Sequence, residues 1–258
     1  MSTVSRRTVL TSLGWVGGTA MGVGGTPMQM TSLSSAMASP LGWVYVPLDA
    51  REVGDRAYRI YPEGGCMYAV VGSVVGTLAD RFGSPYDAFP IAMMRFGEGG
   101  VGGYGSLCGV VNGACALIGL FHSERPKEER AAMISDLAGW YESSVLPEFK
   151  PGEPEWADEA IPCVSGSVLC HISTTRWCRE SGCPIDSLDR KERCRRLAAD
   201  GAMKVVRMLN HESLRSEILA ARQTNGFSCM ECHGPDDMSN ARVKMDCAAC
   251  HDLSDGHP

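Results

Sequence analysis

Apolar residues in the middle of the chain recur with the spacing of helices. They follow three- and four-residue steps from Cys66 to Leu78, as on one buried face of a helix. Residues 107–121 form a glycine-containing apolar run, which predicts a buried helix packed closely against its neighbours. Residues 126–145 are amphipathic, and Pro126 followed by acidic residues is typical of a helix start. This part of the chain is therefore predicted to be helical.

The flanking segments predict further helices and several irregular connections. A shorter helix begins within residues 165–177, and Cys183-Pro184 ends it. Residues 189–222 predict one long helix, whose apolar side carries Leu197, Val205, Met208, Leu209 and Leu214. We expect irregular structure in three places: the mixed segment 41–61, a flexible glycine-rich turn at 97–105, and a proline- and acid-rich connection at 147–162.

The first 38 residues predict an export signal. Arg6 and Arg7 precede a weakly apolar, glycine-rich stretch at 11–23, and Ala36-Met37-Ala38 offers the small residues that a signal peptidase reads. Paired arginines before such a stretch are typical of twin-arginine export, although a chance pair in a disordered N-terminus is the alternative. The stretch is too short and interrupted for a transmembrane helix, so we expect no stable membrane insertion. The predicted location is the periplasm, with residues 1–38 removed.

The remaining chain is predicted to have two parts. Residues 39–225 form a helical, cysteine-rich domain, and residues 226–258 form a short segment of little regular structure. That tail is polar, rich in cysteine and poor in aliphatic side chains, so it cannot build a core from protein alone. The predicted fold class is therefore mainly α, with a C-terminal segment packed around another group.

Composition excludes several kinds of partner and chemistry. The 258-residue chain is 44% hydrophobic, which is enough for a real core. Its 24 basic and 30 acidic residues give a formal charge of -6, which argues against a nucleic-acid partner. The sequence offers no catalytic Ser/His/Asp set, phosphate loop or H-E-x-x-H motif, so no hydrolase is predicted.

The tail contains two C-x-x-C-H motifs, which predict two covalently attached haem c groups per chain. The cysteines, Cys229 with Cys232 and Cys247 with Cys250, would form the thioether bonds, and His233 and His251 would be the proximal iron ligands. Two thiols three positions apart can each add to one vinyl group of a porphyrin, and the next residue is then aimed at the iron. Two complete motifs in an exported protein are a strong signal.

Zinc is the rival interpretation of the same four cysteines. Their spacing, C-x2-C-x14-C-x2-C, is close to that of a zinc ribbon. A ribbon needs no histidine after each second cysteine, whereas both pairs here have one. The sequence therefore favours haem, with zinc or disulfides as the alternatives.

The haems need cover and, for electron transfer, second axial ligands. About thirty residues cannot wrap two porphyrins, so we expect the haems to lie close together, covered by the main domain or by a second subunit. A second histidine on each iron favours electron transfer over binding of a small molecule. His211, before the tail, and His171, beside Cys170, are the candidate distal ligands. His122 comes next, and His257 is expected at a frayed terminus.

Eight further cysteines lie in the main domain. They are Cys66, Cys108, Cys115, Cys163, Cys170, Cys178, Cys183 and Cys194. Several fall on apolar helix faces, where a buried free thiol is the ordinary explanation. The glycines that follow Cys108 would allow another backbone, or a cluster, to approach closely, and four thiolates suffice to hold an iron–sulfur cluster.

These residues carry a resemblance to a known family. The chain resembles the redox-active proteins with a C…GCAxxG…C…C pattern and, within them, the split-Soret cytochromes c of sulfate-reducing bacteria. The matching segments contain Cys66 in GGCMYAV, Cys108 in LCGVVNGA, Cys170 in GSVLCH and Cys194 in RCRRLAADGAMKVV. The chain departs from the pattern at Val110, and both Cys108 and Cys115 can be the family cysteine; we favour Cys108.

The resemblance implies a helical homodimer with haems gathered at one end. It also implies His–His ligation with a ligand donated across the dimer, and a 2Fe–2S cluster on Cys66, Cys108, Cys170 and Cys194. Cys163, Cys178 and Cys183 remain possible ligands or disulfide partners.

The predicted function is electron transfer with a partner redox protein. The alternatives are a haem enzyme that reduces a small molecule at an open iron position and, less favoured, a zinc-ribbon binding module.

Overall fold

The computed structural model describes residues 43–210, 233, 244–245 and 247–251. The α-helices are α1 (Ala50–Ile60), α2 (Gly65–Phe82), α3 (Gly109–Phe121), α4 (Lys127–Ser143), α5 (Cys170–Ser181) and α6 (Leu188–Asn210). Two short strands, β1 (Val145–Leu146) and β2 (Cys163–Val164), pair in antiparallel register. The predicted mainly α fold class is confirmed. Among these residues, no helix is both long and apolar enough to cross a membrane.

Helix α1 lies where the sequence predicted irregular structure, so that prediction was wrong. Its N-cap Asp49 accepts a hydrogen bond from the backbone N–H of Glu52, which satisfies one of the free donors of the first turn. Charged residues occupy most of its other positions, and its buried side is a narrow stripe that includes Val53, Ala57 and Tyr58. The stripe is too narrow to stand out in the sequence, and packing on α2 and α6 stabilises the helix.

Helix α2 forms the centre of the core. Residues from Gly65 to Leu78 are almost all buried, and α2 packs against α1, α3 and α6. Helix α6 begins at Leu188 and is described as far as Asn210. Leu197, Val205 and Leu209 are buried as predicted, whereas Met208 is only half-buried. The predicted continuation of this helix to residue 222, including Leu214, lies outside the described residues.

Glycine allows α6 to approach α3 closely. A Cβ atom at Gly201 would overlap the side chain of Val110 on α3. We expect Gly201→Ala to destabilise the protein by about 1–3 kcal/mol, because the added methyl overpacks the helix interface. Gly119→Ala on α3 is the matched control, since a Cβ there meets no atom within 4 Å. That control should gain up to about 1 kcal/mol from helix propensity. Urea unfolding of both variants measures the difference, and equal effects would contradict this account of the packing.

The glycine-rich loop is a turn region, as predicted, and backbone hydrogen bonds hold it together. Gly102 N–H donates to Phe96 O at 2.8 Å, and Gly105 N–H donates to Gly99 O at 3.0 Å. Ser106 N–H donates to Gly100 O at 3.0 Å. These bonds join residues six positions apart, so the loop is coiled upon itself.

Helix α6 buries charged residues that its apolar spacing did not predict. They are Glu192, Arg193, Arg195, Arg196 and Asp200. Most have partners: Arg196 Nε donates to Glu192 Oε1 at 2.7 Å, and the Asp200 carboxylate accepts from the backbone N–H groups of Glu148 and Phe149, each at 2.9 Å. Asp200 thereby fixes the start of the connection at 147–162, and burial raises its pKa to about 7. Arg193 differs from the other four, because its side chain donates to a cysteine sulfur, Cys194 Sγ.

Candidate functional site

Four of the predicted cysteines lie close to one another, and three of them are at helix N-termini. Cys66 is the second residue of α2, Cys108 immediately precedes α3, and Cys170 is the first residue of α5. The fourth, Cys194, lies within α6. The N-terminus of a helix carries a partial positive charge, so three helices present their anion-stabilising ends to this group of thiols. We call these four residues the cysteine cluster.

A single β-bridge places two members of the cysteine cluster side by side. Leu107 pairs with Leu169 in antiparallel orientation, immediately before α3 and α5 begin. Cys108 N–H donates to Val168 O at 2.9 Å, and Cys170 N–H donates to Ser106 O at 2.7 Å. The bridge therefore sets the two helix N-termini next to each other.

Glycines permit the close packing around the cluster. A Cβ atom at Gly109 would lie 3.0 Å from Cys66 Cβ and 2.6 Å from Gly97 O. A Cβ atom at Gly100, whose φ is +71°, would lie 2.7 Å from Cys170 Cβ. The glycine-rich loop thus covers the cluster at a distance that other residues could not reach without displacement.

The thiols of the cluster influence one another's ionisation. A hydrogen bond with Cys66, together with the charges of Arg193 and Arg190, lowers the pKa of Cys194 well below its usual value. The same hydrogen bond and burial raise the pKa of Cys66 far above its usual value, and the negative charge of Cys194 adds to the effect. Burial raises the pKa of Cys170 to about 12. One thiolate is therefore favoured here, and further negative charge needs an added cation.

Arg193 supplies positive charge to this region without a carboxylate partner. Its side chain is 1% exposed and donates to Ser173 Oγ at 2.8 Å, to Ser165 Oγ at 3.4 Å and to Cys194 Sγ at 3.8 Å. Its Nε is buried without a hydrogen-bond partner, and no ion pair among the described residues includes it. A buried guanidinium is costly unless it is paired, so the anion that it faces is the sulfur group of the cysteine cluster.

The cysteine cluster offers four sulfur donors. Within the described part of the chain, no three His, Cys, Asp or Glu side chains are arranged as ligands of a metal ion. Among the four thiols, Cys66 and Cys194 influence each other's ionisation, and Cys108 and Cys170 are joined through the bridge. A 2Fe–2S cluster takes two cysteines on each of two irons, and the donor set fits that requirement.

Four other cysteines of the main domain lie outside the cysteine cluster, namely Cys115, Cys163, Cys178 and Cys183. Cys115 is half-buried on α3, and only burial raises its pKa, to about 11. The structure thus places Cys108, and not Cys115, beside the other cluster thiols. Cys163 is buried close to Arg193, and Cys178 and Cys183 are partly exposed. All these cysteines are free thiols in the described residues, so none is a disulfide partner there.

The second haem motif forms one turn of 3-10 helix. Cys250 N–H and His251 N–H donate to Cys247 O at 3.1 and 2.9 Å. Residues three apart eclipse each other in such a turn, so Cys247 and Cys250 lie on one side, as attachment to a single porphyrin requires. His251 is exposed, and so is Cys250. Cys229 and Cys232 of the first motif lie outside the described residues, and His233 is its only described member.

The segment before this turn contacts the main domain. Ser167 Oγ donates to Met245 Sδ at 3.5 Å, and Lys244 Nζ donates to Ser135 Oγ at 3.0 Å. Ser167 lies three residues before Cys170, so the second haem motif is tied to the loop that leads into the cysteine cluster.

The candidate distal histidines differ in exposure. His171 is exposed, and its Nδ1 lies 2.9 Å from Gly105 O, which leaves Nε2 directed away from that bond. Histidines that ligate metals commonly use the second ring nitrogen in this way. His122 is buried, and its Nδ1 accepts a hydrogen bond from Arg125 Nε at 3.1 Å. His211 and His257 lie outside the described residues.

Comparison with known proteins identifies the family. Residues 68–208 match the family described as "Putative redox-active protein (C_GCAxxG_C_C)". The chain is 33% identical over 266 residues to split-Soret cytochrome c of Desulfovibrio desulfuricans, covering 96% of this chain and 94% of the relative. A solved structure of split-Soret cytochrome c from the same species, which describes a novel iron centre in that protein, matches with a TM-score of 0.75 and 34% identity over 84% of this chain and 93% of that chain.

The chain therefore belongs to the split-Soret cytochrome c family, within the redox-active C_GCAxxG_C_C proteins. The predicted resemblance is confirmed, and membership supports a haem- and iron-containing cytochrome c of electron transport. Sequence reasoning found the four cysteines but missed the residues around them. Arg193, Ser173 and Tyr141 carried no motif, and only the adjacency of Arg193 to Cys194 was a usable signal.

Proposed function

We propose that this protein is a periplasmic electron-transfer protein with two haem c groups per chain and a 2Fe–2S cluster. The cluster would be held by Cys66, Cys108, Cys170 and Cys194, and the haems by the two C-x-x-C-H motifs of the tail. Export by the twin-arginine route agrees with this proposal, because that route carries folded proteins and so allows a cluster to be inserted before export.

One observation carries the iron–sulfur proposal: Arg193 is buried beside the Cys194 thiol and has no carboxylate partner among the described residues. Its charge favours the thiolate form of Cys194, which is the form that ligates iron. Four thiolates around a two-iron cluster carry a net negative charge, which Arg193, Arg190 and three helix N-termini would stabilise.

The protein's own residues have distinct tasks in this proposal. When bound, the cluster supplies one-electron redox chemistry. The four cysteines bind it, and close packing excludes water, because Gly100 of the glycine-rich loop lies against Cys170 and Gly109 of α3 lies against Cys66. Burial keeps the site dry, so nearby charges and hydrogen bonds act strongly on the bound group.

A short connection would join the proposed iron–sulfur cluster to one of the proposed haems. Cys170 and His171 are consecutive, and His171 is exposed with its ring oriented by Gly105 O. We take His171 as a distal haem ligand, so that one peptide unit links a cluster ligand to a haem ligand. The contact between Ser167 and Met245 brings the second haem motif to the same loop. Electrons would pass between cluster and haem within the protein and then to a partner redox protein.

A homodimer completes the proposal. The tail is too short to cover two porphyrins, so a second copy would supply cover and a histidine ligand across the interface. His211 remains the second candidate for a distal ligand, since its position precedes the tail directly.

Optical spectra test this function. Protein matured in a host that attaches haem c should contain two haems per chain by pyridine haemochrome, with low-spin bands and a Soret band split by haem–haem coupling. Replacement of His171 by Ala should convert one haem per chain to a high-spin form that binds carbon monoxide, with haem content unchanged. High-spin, carbon monoxide-binding haem in the wild type would favour an enzyme instead. A colourless, zinc-containing protein would overturn the haem assignment.

A further inference from the structure

A buried polar network holds Arg193 against the thiol of Cys194. Arg193 donates to Cys194 Sγ at 3.8 Å and to Ser173 Oγ at 2.8 Å. Ser173 Oγ donates to Ser165 Oγ at 3.0 Å and lies 3.0 Å from the Tyr141 hydroxyl. Because Ser173 gives its one proton to Ser165, Tyr141 donates its own proton to Ser173 and has none left for a thiol. The network therefore fixes the guanidinium of Arg193 beside the cysteine cluster.

Every side chain of this network is removed from solvent. Arg193 is 1% exposed, and Tyr141 and Ser173 are fully buried. Tyr141 lies on α4, which contributes no cluster cysteine, and Ser173 lies on α5. The buried tyrosine hydroxyl and the buried guanidinium both need acceptors. Ser173 Oγ accepts from each of them, and the guanidinium also donates to Cys194 Sγ.

The charge of the network favours the reduced form of a bound cluster. Reduction adds one negative charge, and a nearby cation or hydrogen-bond donor stabilises the state with more negative charge on sulfur. The low polarity of the surroundings strengthens this effect. Removal of the Arg193 guanidinium should therefore make the cluster harder to reduce.

We propose that Arg193, fixed in place by Ser173, raises the reduction potential of the 2Fe–2S cluster and so sets the direction of its electron exchange with the haems. This inference rests on the proposed function, because it requires the cluster to be bound. It assigns to Arg193 a role in tuning the potential and not in ligating iron.

Potentiometric titration followed by electron paramagnetic resonance tests the proposal in the full-length holoprotein. Arg193→Met should shift the one-electron equilibrium of the cluster toward the oxidised form by at least about tenfold, which is about 59 mV to lower potential. Arg193→Lys retains the charge and should show a smaller shift. Ser173→Ala removes only the hydroxyl that positions the guanidinium, so it should fold and shift the potential in the same direction by a smaller amount.

Arg195→Met is the matched control. Arg195 is equally buried on α6, but it donates to Tyr58 O and pairs with Glu155, away from the thiols. Its replacement should leave the cluster potential unchanged.

The outcomes separate this inference from the proposed function. Wild-type protein without iron, labile sulfide or a cluster signal would contradict the proposed function itself. A full cluster signal in wild type and in Arg193→Met, with equal midpoint potentials, would overturn the inference alone. If Arg193→Met fails to retain the cluster, equal midpoint potentials in wild type and in Ser173→Ala would overturn it, because Ser173→Ala keeps the buried charge and the helix.

Discussion

Replacement of Cys108 by Ser should remove the iron–sulfur cluster and leave both haems in place. We expect the cluster signal and the labile sulfide to fall to about a tenth or less of the wild-type content, because a hydroxyl is a poor substitute for a soft thiolate ligand. Cys108 precedes α3 and is fixed by its N–H bond to Val168 O, so no neighbouring residue can take its place without displacing the bridge.

Cys115→Ser is the matched control on the same helix. Cys115 is half-buried, and no cluster thiol acts on its ionisation. The variant should retain full iron and sulfide. The pair also decides between the two cysteines that the sequence pattern left open. Loss of the cluster in Cys115→Ser with retention in Cys108→Ser would reverse the assignment and contradict the geometry of the cluster.

Stability measurements can accompany the same pair. Both replacements exchange sulfur for oxygen in a helix or at its start, so their direct cost to folding should be similar. A larger loss of thermal stability in Cys108→Ser than in Cys115→Ser would follow from loss of the bound cluster, since a ligand that binds only the folded state stabilises it.

Replacement of both Cys247 and Cys250 by Ala should reduce the haem content from two per chain to one. The two cysteines lie on one side of a single 3-10 turn, which suits attachment to one porphyrin. Loss of that haem should also abolish the splitting of the Soret band, because the coupling needs two neighbouring porphyrins. Pyridine haemochrome quantification and the reduced optical spectrum measure both effects.

A double replacement of Cys178 and Cys183 by Ala is the control for the haem variant. Like Cys247 and Cys250, these cysteines are at least partly exposed, but they lie in the main domain at the end of α5. That variant should keep two haems and a split Soret band. Two haems per chain after loss of Cys247 and Cys250 would exclude the tail motif as an attachment site.

Local sequence patterns predicted the elements whose apolar residues are dense or regularly spaced. Helix α2, the glycine-containing α3 and the amphipathic α4 were found within a few residues of their bounds. Helix α1 was missed because its buried stripe is narrow among charged residues. The turn at the glycine-rich loop was predicted from its composition. The hydrogen bonds between Gly102 and Phe96 and between Gly105 and Gly99 could not be predicted, because they depend on the folded backbone.

By itself, the sequence determined the predicted chemistry and the fold class. The C-x-x-C-H motifs, the cysteines of the family pattern and the helical periodicity depend only on residue type and short-range spacing. Only the tertiary structure decided which thiols meet. Cys66 and Cys194 are 128 residues apart, and the bridge between Leu107 and Leu169 joins segments that no local pattern connects. The burial of Arg193 likewise depends on the packing of α4, α5 and α6, because a charged residue is buried only where distant segments provide its partners.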